Sequence, residues 1–108
     1  MRSNGAEKEL SLMDVLTPRQ FAVTMLVASS LTNRDIAGSM GISAHTVSHH
    51  LSNIFERVGC GNRTELTVRY VHEQDKGLYD KKEFSERLAQ LRKAARSTVL
   101  KTSRERSA

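Results

Sequence analysis

Between Thr32 and Val58 the apolar positions follow the period of two helices broken at Gly41. Ile36, Ala37 and Met40 mark the inward side of the first helix. Along the second, Val47, Leu51, Ile54 and Val58 recur at steps of four, three and four, the spacing of a stripe buried on one helical face. The opposite side carries His45, Ser48, His49 and Ser52, a compact polar face free of acidic residues. Thr32 is placed to cap the first of these helices, with Asp35 near its positive end. Ser43 is placed to cap the second, and Gly41 and Gly59 are placed to stop them.

The flanking chain continues in the same style. From Leu10 to Leu16 apolar residues thicken enough to lay a short segment on the core. Thr17-Pro18-Arg19-Gln20 opens a helix: a capping threonine, a proline at the first helical position, and a glutamine three residues after the cap. Val23, Leu26 and Val27 form its inward stripe, and it ends near Ser29-Ser30. Asn62-Arg63-Thr64-Glu65 is a further capping signature, opening a helix to about Lys76, with Gly77 as its stop. Leu66, Val68, Tyr70 and Val71 are its apolar residues. Beyond Gly77, Asp80 is placed to cap a helix whose Phe84, Leu88, Leu91, Ala95 and Thr98 stand at heptad spacing for about two repeats. The expected class is all-α: a four-helix domain containing a helix-turn-helix, with an additional C-terminal amphipathic helix. The boundaries expected are 1–11 for a flexible N-terminal segment, 12–76 for the helical domain, and 77–108 for the C-terminal basic helix and a disordered tail.

Composition narrows the function classes. A chain of 108 residues allows one small domain and little mass for a deep catalytic cleft. No paired carboxylates, glycine-rich phosphate loop or nucleophile constellation occurs, so neither an enzyme nor a cofactor is expected. No apolar run approaches the roughly 18 residues of a membrane helix. The single cysteine, Cys60, rules out an internal disulfide and fits a reducing cytoplasm. The net charge of +5 is unevenly placed: residues 74–108 hold ten Lys or Arg against five acids, whereas residues 16–73 hold five against four. Cations that suit phosphate contact therefore concentrate in the C-terminal third.

Several motifs in order resemble one family. Leu16-Thr17-Pro18-Arg19, Leu31-Thr32-Asn33-Arg34-Asp35-Ile36-Ala37, Ile42-Ser43, Thr46-Val47, His50, Ser52-Asn53-Ile54, Gly59 and Asn62-Arg63-Thr64-Glu65-Leu66 are similar to the LuxR/GerE-type helix-turn-helix domain over residues 12–76. The resemblance implies bacterial transcriptional regulators that bind double-stranded DNA as homodimers, with the third long helix in the major groove and the fourth at the dimer interface. The chain departs from the family pattern at Ser48, where a lysine is usual, at His45 for a basic residue, and at Ala44 for a glutamate. It departs also at Gln20 for a glutamate and at Thr24 for a leucine. Only about fifteen residues precede the motif, which matches the stand-alone members of the family.

Within that resemblance, His45, Ser48, His49 and Ser52 are the candidates for base edges. Thr46, His50, Asn53 and Arg57 form a flanking row suited to phosphates. With the motif positions included, the candidate DNA-binding set is Asn33, Ala44, His45, Thr46, Val47, Ser48, His49, His50, Ser52, Asn53, Arg57 and Arg63. His45 and His49 share the i, i+4 spacing that can hold a metal, but no acidic third ligand stands near them in sequence, so no metal site is expected. The C-terminal helix has three readings: packing on its own domain or a second subunit, recruiting a protein such as RNA polymerase or another regulator, or tracking DNA through Arg87, Arg92, Lys93, Arg96, Lys101, Arg104 and Arg106. The rival to DNA reading is a protein-interaction module that binds RNA polymerase or another regulator with little or no DNA affinity. Ser48 and the near-neutral central region speak for it.

Overall fold

The capping signals of the sequence become helix ends in the structure, a computed structural model that describes residues 10–93. Ser11 caps α1 (Leu12–Val15), Thr17 caps α2 (Pro18–Ala28), Thr32 caps α3 (Asn33–Met40), Ser43 caps α4 (Ala44–Val58) and Asn62 caps α5 (Arg63–Asp75). Asp80 accepts from the backbone N–H of Glu83 at the start of α6, residues 81–93. Thr17 with Gln20, and Thr32 with Asp35, form reciprocal capping boxes. Each such cap satisfies backbone N–H groups that the helix cannot, at about 1 kcal/mol apiece. No strand occurs among the described residues. The N-terminal residues expected to be loose, Ala95, Arg96, Thr98 and the tail KTSRERSA with its basic residues lie outside them.

Two turns show how the chain reverses. Gly41, in the left-handed region at φ 69°, ends α3, and Ile42 N–H bonds back to the Ala37 carbonyl at 3.0 Å. Ser30 closes α2 in the same way at φ 67°, with its own N–H on the Val27 carbonyl. Serine there carries the steric penalty that glycine avoids.

The core is one cluster joining all six helices. Leu12, Leu16, Phe21, Val23, Ile36, Val47, Leu51, Ile54, Leu66 and Tyr70 are buried in it. The stripe of α4 is as expected at Val47, Leu51 and Ile54, with Val58 half-buried. On α2 the buried face is wider than Val23, Leu26 and Val27, because Phe21, Thr24 and Met25 join it. Thr24, standing where the family has leucine, is fully buried. It remains satisfied by donating to the Gln20 carbonyl at 2.9 Å. On α5 only Leu66 and Tyr70 of the apolar set turn inward; Val68 and Val71 are 62% and 43% exposed.

α6 lays Phe84, Leu88 and Leu91 on the core, so this helix packs on its own domain. The seam is aromatic. Phe21 meets Tyr79 edge-on at 5.2 Å, Tyr79 stacks on Phe84 at 5.8 Å, and the Arg87 guanidinium sits 5.4 Å above Phe21.

One buried carboxylate gathers the ends of the domain. Glu73 accepts from Leu12 N–H at 2.7 Å and the Tyr79 hydroxyl at 3.1 Å on one oxygen, and from Arg69 Nε at 3.0 Å on the other. Arg69 also donates to the Val58 carbonyl at the end of α4. Glu73→Gln keeps the shape but turns an N–H2 toward one of these donors. It should lower stability by about 1–3 kcal/mol, read as a lower urea midpoint. Burial pushes the Tyr70 phenol from 10.0 up to about 12 and raises Tyr79 further, with Glu73 adding to the effect. The folded phenols keep their protons while the unfolded ones lose them. Stability present below pH 10.0 should therefore fall as pH rises toward about 12, where the Tyr70 phenol titrates in the fold, and Tyr79→Phe should make that fall shallower in denaturation series.

Candidate nucleic-acid interface

The interface follows from how α4 is held. With Val47, Leu51 and Ile54 buried, the helix cannot roll, and its far side is fixed toward solvent. Ala44, His45, Ser48, His49, Ser52 and Asn53 are exposed there, while Thr46 and His50 are half-buried. The N-terminal turn is tight: Ser43 Oγ accepts from Thr46 N–H at 3.0 Å, and the two hydroxyls lie 2.9 Å apart. Thr46 is thus shared between capping and the flanking row.

Four members of the candidate set are occupied inside the protein. Val47 is fully buried, so its side chain belongs to the core and is withdrawn from the contacting set. Arg57 is exposed, but its Nε donates to the Val15 carbonyl at 2.9 Å, tying α4 to the end of α1. Arg63 is half-buried: Nη2 donates to the Leu31 carbonyl at 2.6 Å and Nη1 to Asn33 Oδ1. Asn33 Nδ2 then donates to Ser48 Oγ at 3.1 Å. Arg63 and Asn33 therefore form a relay from α5 across the start of α3 to the middle of the exposed face of α4. Side chains so engaged position the surface more than they extend from it.

The exposed face also differs from its sequence description at one end. Glu56 follows Ser52 by one helical turn and is exposed, so the outward row His45–His49–Ser52 ends in an acid. Periodicity alone could have found it. It stands toward the C-terminal end of α4, away from Ser43 and the N-terminal turns.

Other chemistry is sparse. No three His, Cys, Asp or Glu side chains come together to hold a metal among the described residues. No helix among them is long and apolar enough to cross a membrane. Cys60 is half-buried; burial pushes its thiol up, which disfavours the reactive thiolate, and Arg69 opposes the shift. An open cavity of about 600 Å³ lies between the α2–α3 turn and α5, lined in part by Thr32, Arg63, Thr64, Thr67 and Val68.

Comparison with known proteins agrees with this geometry. The family of bacterial regulatory proteins, luxR family, matches residues 14–70, more than half of the chain. Response regulator protein VraR from Staphylococcus aureus (strain COL) and from Staphylococcus epidermidis is 31% identical over 65 residues, covering 60% of this chain. The match spans 31% of the length of those relatives. No solved structure matches at a significant level. The chain belongs to the luxR family of bacterial regulatory proteins, whose helix-turn-helix domain serves DNA-binding regulation of transcription.

Proposed function

We propose that this protein regulates transcription by binding double-stranded DNA as a homodimer, with α4 of each subunit in the major groove. The carrying observation is the two-sided α4: Val47, Leu51 and Ile54 immobilise it, and Ala44, His45, Ser48, His49, Ser52 and Asn53 stand exposed with short side chains. A rigid helix of that profile enters a groove about 12 Å wide, N-terminal residues foremost. Val68 and Val71, left uncovered on α5, support self-association through that helix, since an apolar strip repeated by a two-fold axis buries itself. Two α4 helices related in this way would read half-sites about one helical turn apart. Such work on chromosomal DNA implies a cytoplasmic protein, and none of the residues proposed for it has a catalytic task.

Selection on random duplexes at two salt concentrations tests the reading. Enrichment of a two-fold motif is the expected result. Absence of binding even at low salt would favour the interaction module for RNA polymerase or another regulator. A sharper expectation concerns the missing lysine. Ser48→Lys returns a cation to the exposed face and should raise affinity about tenfold at low salt, with the slope of log affinity against log salt steeper by about one. Fluorescence anisotropy across a salt series reads both.

A further inference from the structure

We propose that Ser48 determines base specificity as an obligate hydrogen-bond donor, its polarity set by the Arg63–Asn33 relay. The inference rests on the reading of α4 as the DNA-reading helix. The polarity follows from what each group can do. A guanidinium donates and never accepts. Arg63 Nη1 therefore compels Asn33 to present its oxygen on that side, and the same guanidinium is anchored by its second bond to the Leu31 carbonyl. The Asn33 amide nitrogen is left facing Ser48, 3.1 Å away, and it too can only donate. Ser48 Oγ is thereby the acceptor of this bond, and its single O–H is directed elsewhere.

Helical hydroxyls commonly give that proton to the carbonyl four residues back, as Thr24 and Ser29 do here at 2.9 and 3.0 Å. Ser48 makes no such bond among the described residues, and it is exposed on the outward face of α4. Its O–H is free, and a hydroxyl that accepts one hydrogen bond donates another more strongly.

In the major groove this donor meets N7 and O6 of guanine, N7 of adenine or O4 of thymine, whereas cytosine offers only its N4 amine. The amine can use the remaining lone pair of Oγ, but it strands the O–H. At the base edge facing Ser48, guanine or thymine is favoured over cytosine. A lysine at this position would be a donor by its own charge; the relay gives a neutral serine the same sign without the cation.

The experiment is quantitative selection with the full chain at fixed salt, comparing wild type with Ser48→Ala, Ser48→Thr and Asn33→Asp. Wild type is expected to prefer guanine or thymine over cytosine about fivefold at one position of each half-site. Ser48→Ala should flatten that position alone, and Ser48→Thr should keep the preference. Asn33→Asp keeps the partner of Arg63 but replaces the amide donor by a second acceptor. Ser48 then turns its proton inward and shows only lone pairs, so the preference at that position should reverse toward cytosine or adenine amines. Thermal melting of each variant confirms that the fold is retained. If Ser48→Ala changes no position while binding persists, the inference is overturned and the reading of α4 stands. If Asn33→Asp leaves the preference unreversed, the relay is overturned. If wild type enriches no sequence, both the inference and the reading of α4 fall.

Discussion

The surface of this protein depends on one constraint: α4 is pinned along a single line of side chains. Val47, Leu51 and Ile54 lie under the helix with almost no accessible surface, against a core that also holds Ile36, Phe21 and Leu66. Rotating α4 by one residue would carry about 100° of helical face out of the core and expose two or three apolar side chains, at about 1.5–3 kcal/mol each. The register of the outward residues is therefore a consequence of packing on the opposite side. Glycine at position 41 sets the angle at which this helix leaves α3, and Ser43 fixes where it begins.

α5 does the corresponding work for polar groups. From one helix, Arg63 reaches the carbonyl of Leu31 and the amide of Asn33, Arg69 reaches the last carbonyl of α4, and Glu73 collects α1 and Tyr79. Apart from the Arg63–Asn33 bond, each is made to backbone or to a side chain that itself bonds backbone, so α5 holds the orientation of the other helices and not only their proximity. Removing one partner of such a set leaves the others buried and unpaired, which is why a single carboxylate matters more here than its one charge suggests.

Helix ends were legible in the sequence because they are local: a capping side chain, a proline or a glycine acts within three residues. Thr17, Thr32, Ser43, Asn62 and Asp80 all stand where their neighbours indicated, as do the stops at Gly41, Gly59 and Gly77. What the sequence left open depends on partners far along the chain. Arg69 and Glu73, four apart, look like an ordinary solvated pair on a helix. Only the approach of Leu12, 61 residues away, turns the glutamate into a buried hub. Asn33 and Arg63 read as contacts for an outside ligand because both are polar and in the motif; their mutual bond, across 30 residues, appears only in three dimensions. Val47 was a conflict visible in the pattern itself, since it stood both in the buried stripe and in the contacting set, and burial decides it.

The distribution of cations follows from the same geometry. Residues 16–73 contain five arginines, and three of them, Arg57, Arg63 and Arg69, direct guanidinium groups at backbone carbonyls within the domain. Only Arg19 and Arg34 of that group stand exposed without such a bond. With Ser48 in place of a lysine, the exposed face of α4 carries directed donors and little net charge, and Glu56 subtracts from that little at its far end. Sequence discrimination through hydrogen bonds needs exact distances, whereas attraction to phosphates acts over about 10 Å at moderate salt. The two tasks can thus be divided between elements. On the proposed DNA-binding reading α4 would supply the first, and the exposed Lys81, Lys82, Arg92 and Lys93 of α6, held to the core by Phe84, Leu88 and Leu91, would be the densest source of the second among the described residues. Through that apolar stripe α6 is seated on the same core as α4. On that reading, attraction generated there would also orient α4, which charge not packed on the core would not do.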